Sequence, residues 1–183
     1  MALDNRGVPR RRSIRLPEYD YAQPGAYFIT ACAHDRACLF GDIVGTDMRL
    51  NEWGEIAAEC WRAIPDHFEH VTLDEYVIMP NHVHGILVIE DDWAGNVRAT
   101  HASPVPPRGP QPRSIGAIVG SFKSATARRI NDLRGTPDTR VWHRNYYEHV
   151  IRSEESLRQI RQYIADNPIH WADDRENPEW GRP

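Results

Sequence analysis

The sequence predicts an α+β fold of the ferredoxin-like, split βαβ kind. In it, a four-stranded antiparallel sheet carries two helices on one face, and a further helix follows near the C-terminus. Three observations carry this prediction. Segments with strand character and segments with helical periodicity follow one another in the order β-α-β-β-α-β-α. Two of the strands are joined only by Pro80-Asn81, which makes them antiparallel neighbours. The length of 183 residues with 40% apolar content suits one core rather than two.

The first 20 residues, MALDNRGVPRRRSIRLPEYD, read as a basic, flexible arm. Pro24-Gly25 signals a turn, and AYFITACAH (26–34) after it is rich in residues that favour strands. Residues 35–50, with Gly41 and Gly45, read as a loop or short hairpin. Asn51 caps a helix over EWGEIAAECWRAI, where Trp53, Ile56, Ala57, Cys60, Trp61 and Ile64 recur at helical spacing and Pro65 ends the run. VTLDEYVIM (71–79) and HVHGILVIE (82–90) are the paired strands. Residues 91–113 hold five Pro and two Gly and read as a flexible loop within the domain. Ser114 opens a long helix with Ile115, Ile118, Val119, Phe122, Ile130 and Leu133 on its apolar face, and Gly135 stops it. YYEHVIR (146–152) is a short strand. Ser153 caps the last helix, whose first turn is acidic where the helix dipole favours it, and Asn167-Pro168 ends it. A single domain over residues 21–175 and a short tail, 176–183, follow from this reading. The two crossover helices leave one sheet face open, and helix 153–166 is free to cover part of it.

Composition narrows the function classes. No apolar run approaches the ~18 residues of a membrane span, and no apolar segment follows the basic N-terminus as a secretory signal requires. The three cysteines (Cys32, Cys38, Cys60) form no CxxC pair, which argues against a disulfide scaffold or a cysteine zinc site and fits the cytoplasm. The net charge is −4, yet residues 1–16 carry +4 and residues 98–145 carry +7. A basic face on an acidic chain fits a phosphate-bearing partner, and accidental clustering on a solvated surface fits the charge equally well. Arg10, Arg11, Arg12, Lys123, Arg128 and Arg129 are the candidate contacts to such a partner, DNA in the reading that the family resemblance given below implies.

The chemistry concentrates in MPNHVHGILVI. Side chains two apart on a strand share a side, so His82 and His84 project together from the open sheet face while Val83, Leu87 and Ile89 face the helices. Two adjacent imidazoles are half of a metal site, or two core histidines satisfied by hydrogen bonds. On the last helix, Tyr163 and Asn167 are four apart and share a face. A tyrosine there is either a packing residue or a nucleophile, and as a nucleophile it needs a polarised target. An amide oxygen from Asn167 suits the metal as a third ligand.

MPNHVHGIL, RNYYEHVIRSEES and QYIADNPIH, in this order and spacing, resemble the single-tyrosine HUH transposases, in particular the branch associated with repetitive extragenic palindromes, the REP-associated tyrosine transposases. The resemblance spans about residues 24–171. It implies a ferredoxin-like fold and a divalent metal, Mg²⁺ or Mn²⁺, on His82 and His84, with Asn167 at the position of a third ligand. It implies Tyr163 as the nucleophile on hairpin-forming single-stranded DNA, leaving a 5′-phosphotyrosine and a free 3′-hydroxyl. Glu148-His149 matches a recurrent motif of the family; the two face opposite sides of a strand, so at most one points at the site, and His149 is either a supporting residue beside it or a structural one. A non-catalytic DNA-binding or regulatory protein with the same fold is the alternative, and the intact His82, His84, Tyr163 set argues against it. A small zinc hydrolase lacks a visible third His, Asp or Glu at ligand spacing. Monomer and homodimer both remain open.

Overall fold

The computed structural model describes residues 19–91 and 110–179. The elements are β1 (Gly25–Cys32), β2 (Gly41–Val44), β3 (Asp47–Leu50), α1 (Glu52–Arg62), α2 (Ile64–His67), β4 (Val71–Ile78), β5 (His82–Ile89), α3 (Ile115–Arg134), β6 (Tyr147–Ile151) and α4 (Glu154–Asp166). β4, β5, β1 and β6 form one antiparallel sheet in that spatial order, and β2 pairs with β3 as a hairpin between β1 and α1. With the hairpin set aside, this is the predicted arrangement: the first and third strands at the centre, the second and fourth at the edges. The expected arm with Arg10, Arg11 and Arg12, and most of the expected loop at 91–113, lie outside the described residues.

Strand alternation divides the core in two. Tyr27, Ile29 and Ala31 of β1 and Val83, Leu87 and Ile89 of β5 face α1 and α3, where Ile56, Trp61, Ile118 and Phe122 complete the larger cluster. Gly85 sits on that face because a Cβ there would collide with the Trp61 ring. On the opposite face Phe28, Ile86 and Ile151 meet Ile164, with Leu157 and Ile160, so α4 covers part of it as expected. Asn51 accepts from the Trp53 and Gly54 amides, Ser114 from Ala117 and Ser153 from Ser156, so all three predicted caps form. Pro65 does not stop the chain from turning. A second short helix follows α1 with Pro65 in its first turn, where proline has no amide hydrogen to lose.

An ion pair also ties β4 to α4 beside an irregularity in the strand. Leu73 opposes Leu87 and Tyr76 opposes Gly85, so two residues of β4 face one of β5 and the strand bulges. Strand alternation after Leu73 turns Asp74 toward α4, where the Arg161 guanidinium grips it with Nε on Oδ1 at 2.8 Å and Nη2 on Oδ2. That fork holds the Asp74 carboxyl below its ordinary range. It adds a polar tie between β4 and the helix that carries Tyr163 and Asn167.

Candidate functional site

His82 and His84 lie side by side on β5 with ring centroids 4.4 Å apart, on the face that α4 covers. Neither is open to solvent: His82 is 0% exposed and His84 3%. Beyond α4 the chain turns through a short 3-10 segment, Trp171–Asp173, and lays Trp171 near the His82 ring. This brings Asp174 into the site, with Oδ2 3.8 Å from His82 Nε2. His82, His84 and Asp174 present one ligand atom each within 4.8 Å of one another.

The polar atoms around this point separate into those that are satisfied and those that are not. His84 Nδ1 is 2.8 Å from the Thr30 hydroxyl, and His84 Nε2 is 3.1 Å from the Tyr163 hydroxyl. An Nδ1–H donating to Thr30, with the Tyr163 hydroxyl donating to Nε2, satisfies the whole chain. His82 Nδ1 is 2.8 Å from Asn81 Oδ1. By contrast His82 Nε2, Asp174 Oδ2 and Asn167 Oδ1 are buried without a hydrogen-bond partner. Orphaned buried acceptors cost free energy, and three that converge on one place are what a cation would repay. Two imidazoles, a carboxylate and an amide oxygen form a donor set that suits a divalent transition ion and also admits Mg²⁺. The His-His-Asp cluster is therefore able to hold a metal ion.

Burial dominates the electrostatics. It pushes His82 down to about 4, against the opposing pull of Asp174 and Glu176, and pushes His84 well below the usual imidazole range, with His82 adding to the effect. Both are neutral at pH 7, the form a ligand needs. Burial and the Asp174 charge raise the Tyr163 hydroxyl, and the Asn167 amide works against them, so the phenol keeps its proton at neutral pH. The depressed histidines have a consequence for stability. Their folded values lie below the unfolded 6.5, so the unfolded chain binds protons first and stability is lost as pH falls from 6.5 toward 4. Thermal unfolding of the metal-free protein is expected to move to lower temperature across that window, less steeply in His84→Gln. Equal slopes in the two proteins would clear His84 of responsibility.

Beside the imidazoles opens a cleft of about 1690 Å³, walled by Phe28, Tyr147 and Tyr163 and by the 143–147 and 173–176 segments. Tyr163 is 47% exposed and Tyr147 39%, and both rings pack edge-on to Phe28. The other sequence candidates fall elsewhere. His149 lies on the site face opposite Phe28, exposed, while Glu148 opposes Ile29 and turns toward the other face. Lys123 does not face solvent freely: its ammonium donates to the carbonyls of His143 at 2.7 Å and Arg144 at 3.1 Å and so supports one wall of the cleft. Arg129 bonds Glu59 and Arg128 is exposed, both on α3, which packs against the sheet face away from the imidazoles.

Asp174 was the residue hidden from sequence reasoning. It stands seven positions past Asn167 in a stretch without periodicity, and only the turn after Pro168 brings it back. Its presence removes the objection that no third acidic ligand exists. It also places Glu176, beyond the expected end of the domain, against Arg36 and Asn81.

No family model matches the chain. It is 43% identical to an uncharacterized protein of Haemophilus influenzae over 177 residues, covering 93% of this chain and 95% of that protein. Among solved structures, a REP-associated tyrosine transposase bound to a REP hairpin superposes with a TM-score of 0.56 at 16% identity, over 92% of this chain and 81% of the other. At that identity the likeness is one of fold.

Proposed function

This chain belongs to one protein family with the Haemophilus influenzae protein, and from that premise and its transposase-like fold we propose that it is a metal-dependent single-strand DNA endonuclease and strand transferase. The observation that carries the reading is the Tyr163 hydroxyl, 3.1 Å from His84 Nε2 at the edge of a buried His82, His84, Asp174 set. A half-exposed tyrosine whose oxygen touches a prospective metal ligand is placed to act on something held by that metal. Asn167 joins the donor set from the same helix.

In this reading Tyr163 Oη attacks a scissile phosphorus. The tyrosyl O–P bond forms as the bond to the 3′-oxygen breaks; the phenolic proton leaves to solvent and the departing 3′-oxygen takes one up, which leaves a 5′-phosphotyrosine and a free 3′-hydroxyl. The reverse attack by a 3′-hydroxyl rejoins the strand without an external energy source. His82, His84, Asp174 and Asn167 would hold a divalent cation, whose positive charge would stabilise the phosphoryl oxygens and the departing charge. Tyr147 and Tyr163, backed by Phe28, offer flat apolar surface to unpaired bases, and Arg144 and Arg175 line the same cleft. The hairpin in the structural relative supports DNA as the partner. A second reading, metal-assisted hydrolysis with water as the nucleophile, gains from Asp174, which completes a three-residue ligand set.

The test is binding and nicking of a DNA hairpin with single-stranded flanks. Affinity for it is expected to exceed that for blunt duplex of equal length. It should fall roughly tenfold between 50 and 200 mM salt if only two phosphates are contacted. Nicking should require Mg²⁺ or Mn²⁺. Equal affinity for both DNAs, or cleavage undiminished by chelator, contradicts the proposal.

A further inference from the structure

We propose that Asn81 is a positioning residue that sets two metal ligands at once: the tautomer of His82, and the seat of the C-terminal segment that delivers Asp174. The inference rests on the reading of His82 and Asp174 as ligands. Its geometry does not depend on that reading.

Asn81 is 0% exposed and stands at the turn between β4 and β5, immediately before His82. Its side-chain nitrogen lies 3.0 Å from the Arg36 carbonyl and 2.6 Å from the Glu176 carbonyl. Carbonyls only accept, so the group facing them must be the NH₂. That leaves Oδ1 facing His82 Nδ1 at 2.8 Å. An amide oxygen only accepts, so His82 must carry its proton on Nδ1. The Nε2 lone pair is then free, and Nε2 is the atom that lies 3.8 Å from Asp174. One amide thus relays the position of two main-chain carbonyls into the choice of ligating nitrogen.

The same amide ties the far end of the site. Glu176 is two residues past Asp174, and its carbonyl is held by the group that orients His82. Arg36 reinforces the tie through its guanidinium, with Nη1 3.2 Å from the Arg175 carbonyl and Nε 3.1 Å from Glu176 Oε2. Asp35 and Arg36 both adopt left-handed backbone, at φ 54° and 55°, a costly conformation for residues other than glycine. That turn presents the Arg36 carbonyl to Asn81 and the Arg36 side chain to the 175–176 backbone. His82 and Asp174, 92 residues apart, are therefore set from a single side chain.

The experiment uses the full chain. In the metal-free wild type, long-range ¹H–¹⁵N correlation spectra should show His82 protonated at Nδ1. A His82 protonated at Nε2 overturns the proposal without any variant. Asn81→Asp keeps an oxygen toward His82 and loses both donors. It should hold the tautomer while amide exchange across 171–177 speeds up, and unchanged exchange there overturns the proposal. Asn81→Ala loses both contacts and should weaken Mn²⁺ binding by roughly 10–100-fold in calorimetry, the range for groups that orient metal ligands. A folded Asn81→Ala with wild-type Mn²⁺ affinity overturns the proposal. Should Asn81→Ala fail to fold, Arg36→Gln, which loosens the same segment from the other side, is expected to speed exchange at 171–177, and no change there counts against it. Failure of the wild type to bind Mn²⁺ would instead overturn the metal reading of the site, since the tautomer and exchange measurements need no metal.

Discussion

Tyr163→Phe is expected to abolish strand cleavage, with a loss on the order of 10⁴-fold or more, while folding, metal binding and hairpin binding stay close to wild type. The substitution removes one oxygen. The ring keeps its edge-on packing against Phe28, at 6.0 Å between centroids, and its contact with the His84 ring at 5.2 Å. What is lost structurally is the hydrogen bond to His84 Nε2, worth about 1 kcal/mol at a half-exposed position. His82, His84 and Asp174 are untouched, so affinity for Mn²⁺ should not fall. This variant separates the readings. A hydrolase that activates water keeps most of its rate without the phenol, and a nucleophilic tyrosine leaves none. Single-turnover assays on a labelled hairpin with single-stranded flanks decide between them, and cleavage by the variant at more than a few per cent of the wild-type rate would rule out Tyr163 as the nucleophile.

His82→Gln and His84→Gln are expected each to weaken Mn²⁺ binding at least about 100-fold, the upper end of what changes outside the ligand shell cost. Glutamine is the informative replacement because both positions are closed to solvent. Alanine would leave a void against Trp171 or Phe28 and strip Asn81 or Thr30 of a partner, which mixes loss of packing with loss of metal. Asp174→Asn belongs to the same series. It keeps the size and removes the charge, so metal affinity should drop while the orphaned oxygen remains. Unchanged calorimetric affinity in either histidine variant, with the fold shown intact by circular dichroism, would remove these residues from the site.

Much of this architecture could be read in the chain because the signals were local. The period-two alternation of HVHGILVI placed His82 and His84 on one side and Val83, Leu87 and Ile89 on the other, and the sheet divides them in that way. The four-residue spacing of Tyr163 and Asn167 put them on one side of the last helix, and both line the cleft. Long-range returns of the chain escaped. Asp174 has no periodic neighbours to announce it, and its place depends on the Pro168 turn and on carbonyl contacts made by residues as distant as Arg36 and Asn81. Burial of the imidazoles escaped for the same reason: the open sheet face is covered by α4 and also by the segment after it, which carried no pattern. The bonds that Lys123 makes to loop carbonyls and Arg129 makes to Glu59 are likewise long-range and carry no local signal.

The most direct measurement is the identity of the atom joined to DNA. Wild-type protein is incubated with Mn²⁺ and a hairpin whose single-stranded flank is labelled on either side of the cut, denatured, digested and mapped by mass spectrometry. The account predicts a phosphodiester to the peptide that contains Tyr163, attached to the 5′ end of the released strand, with a free 3′-hydroxyl on the other product. A nicked hairpin with no protein attached, or an adduct mapped to Tyr146, Tyr147 or any other residue, would contradict it.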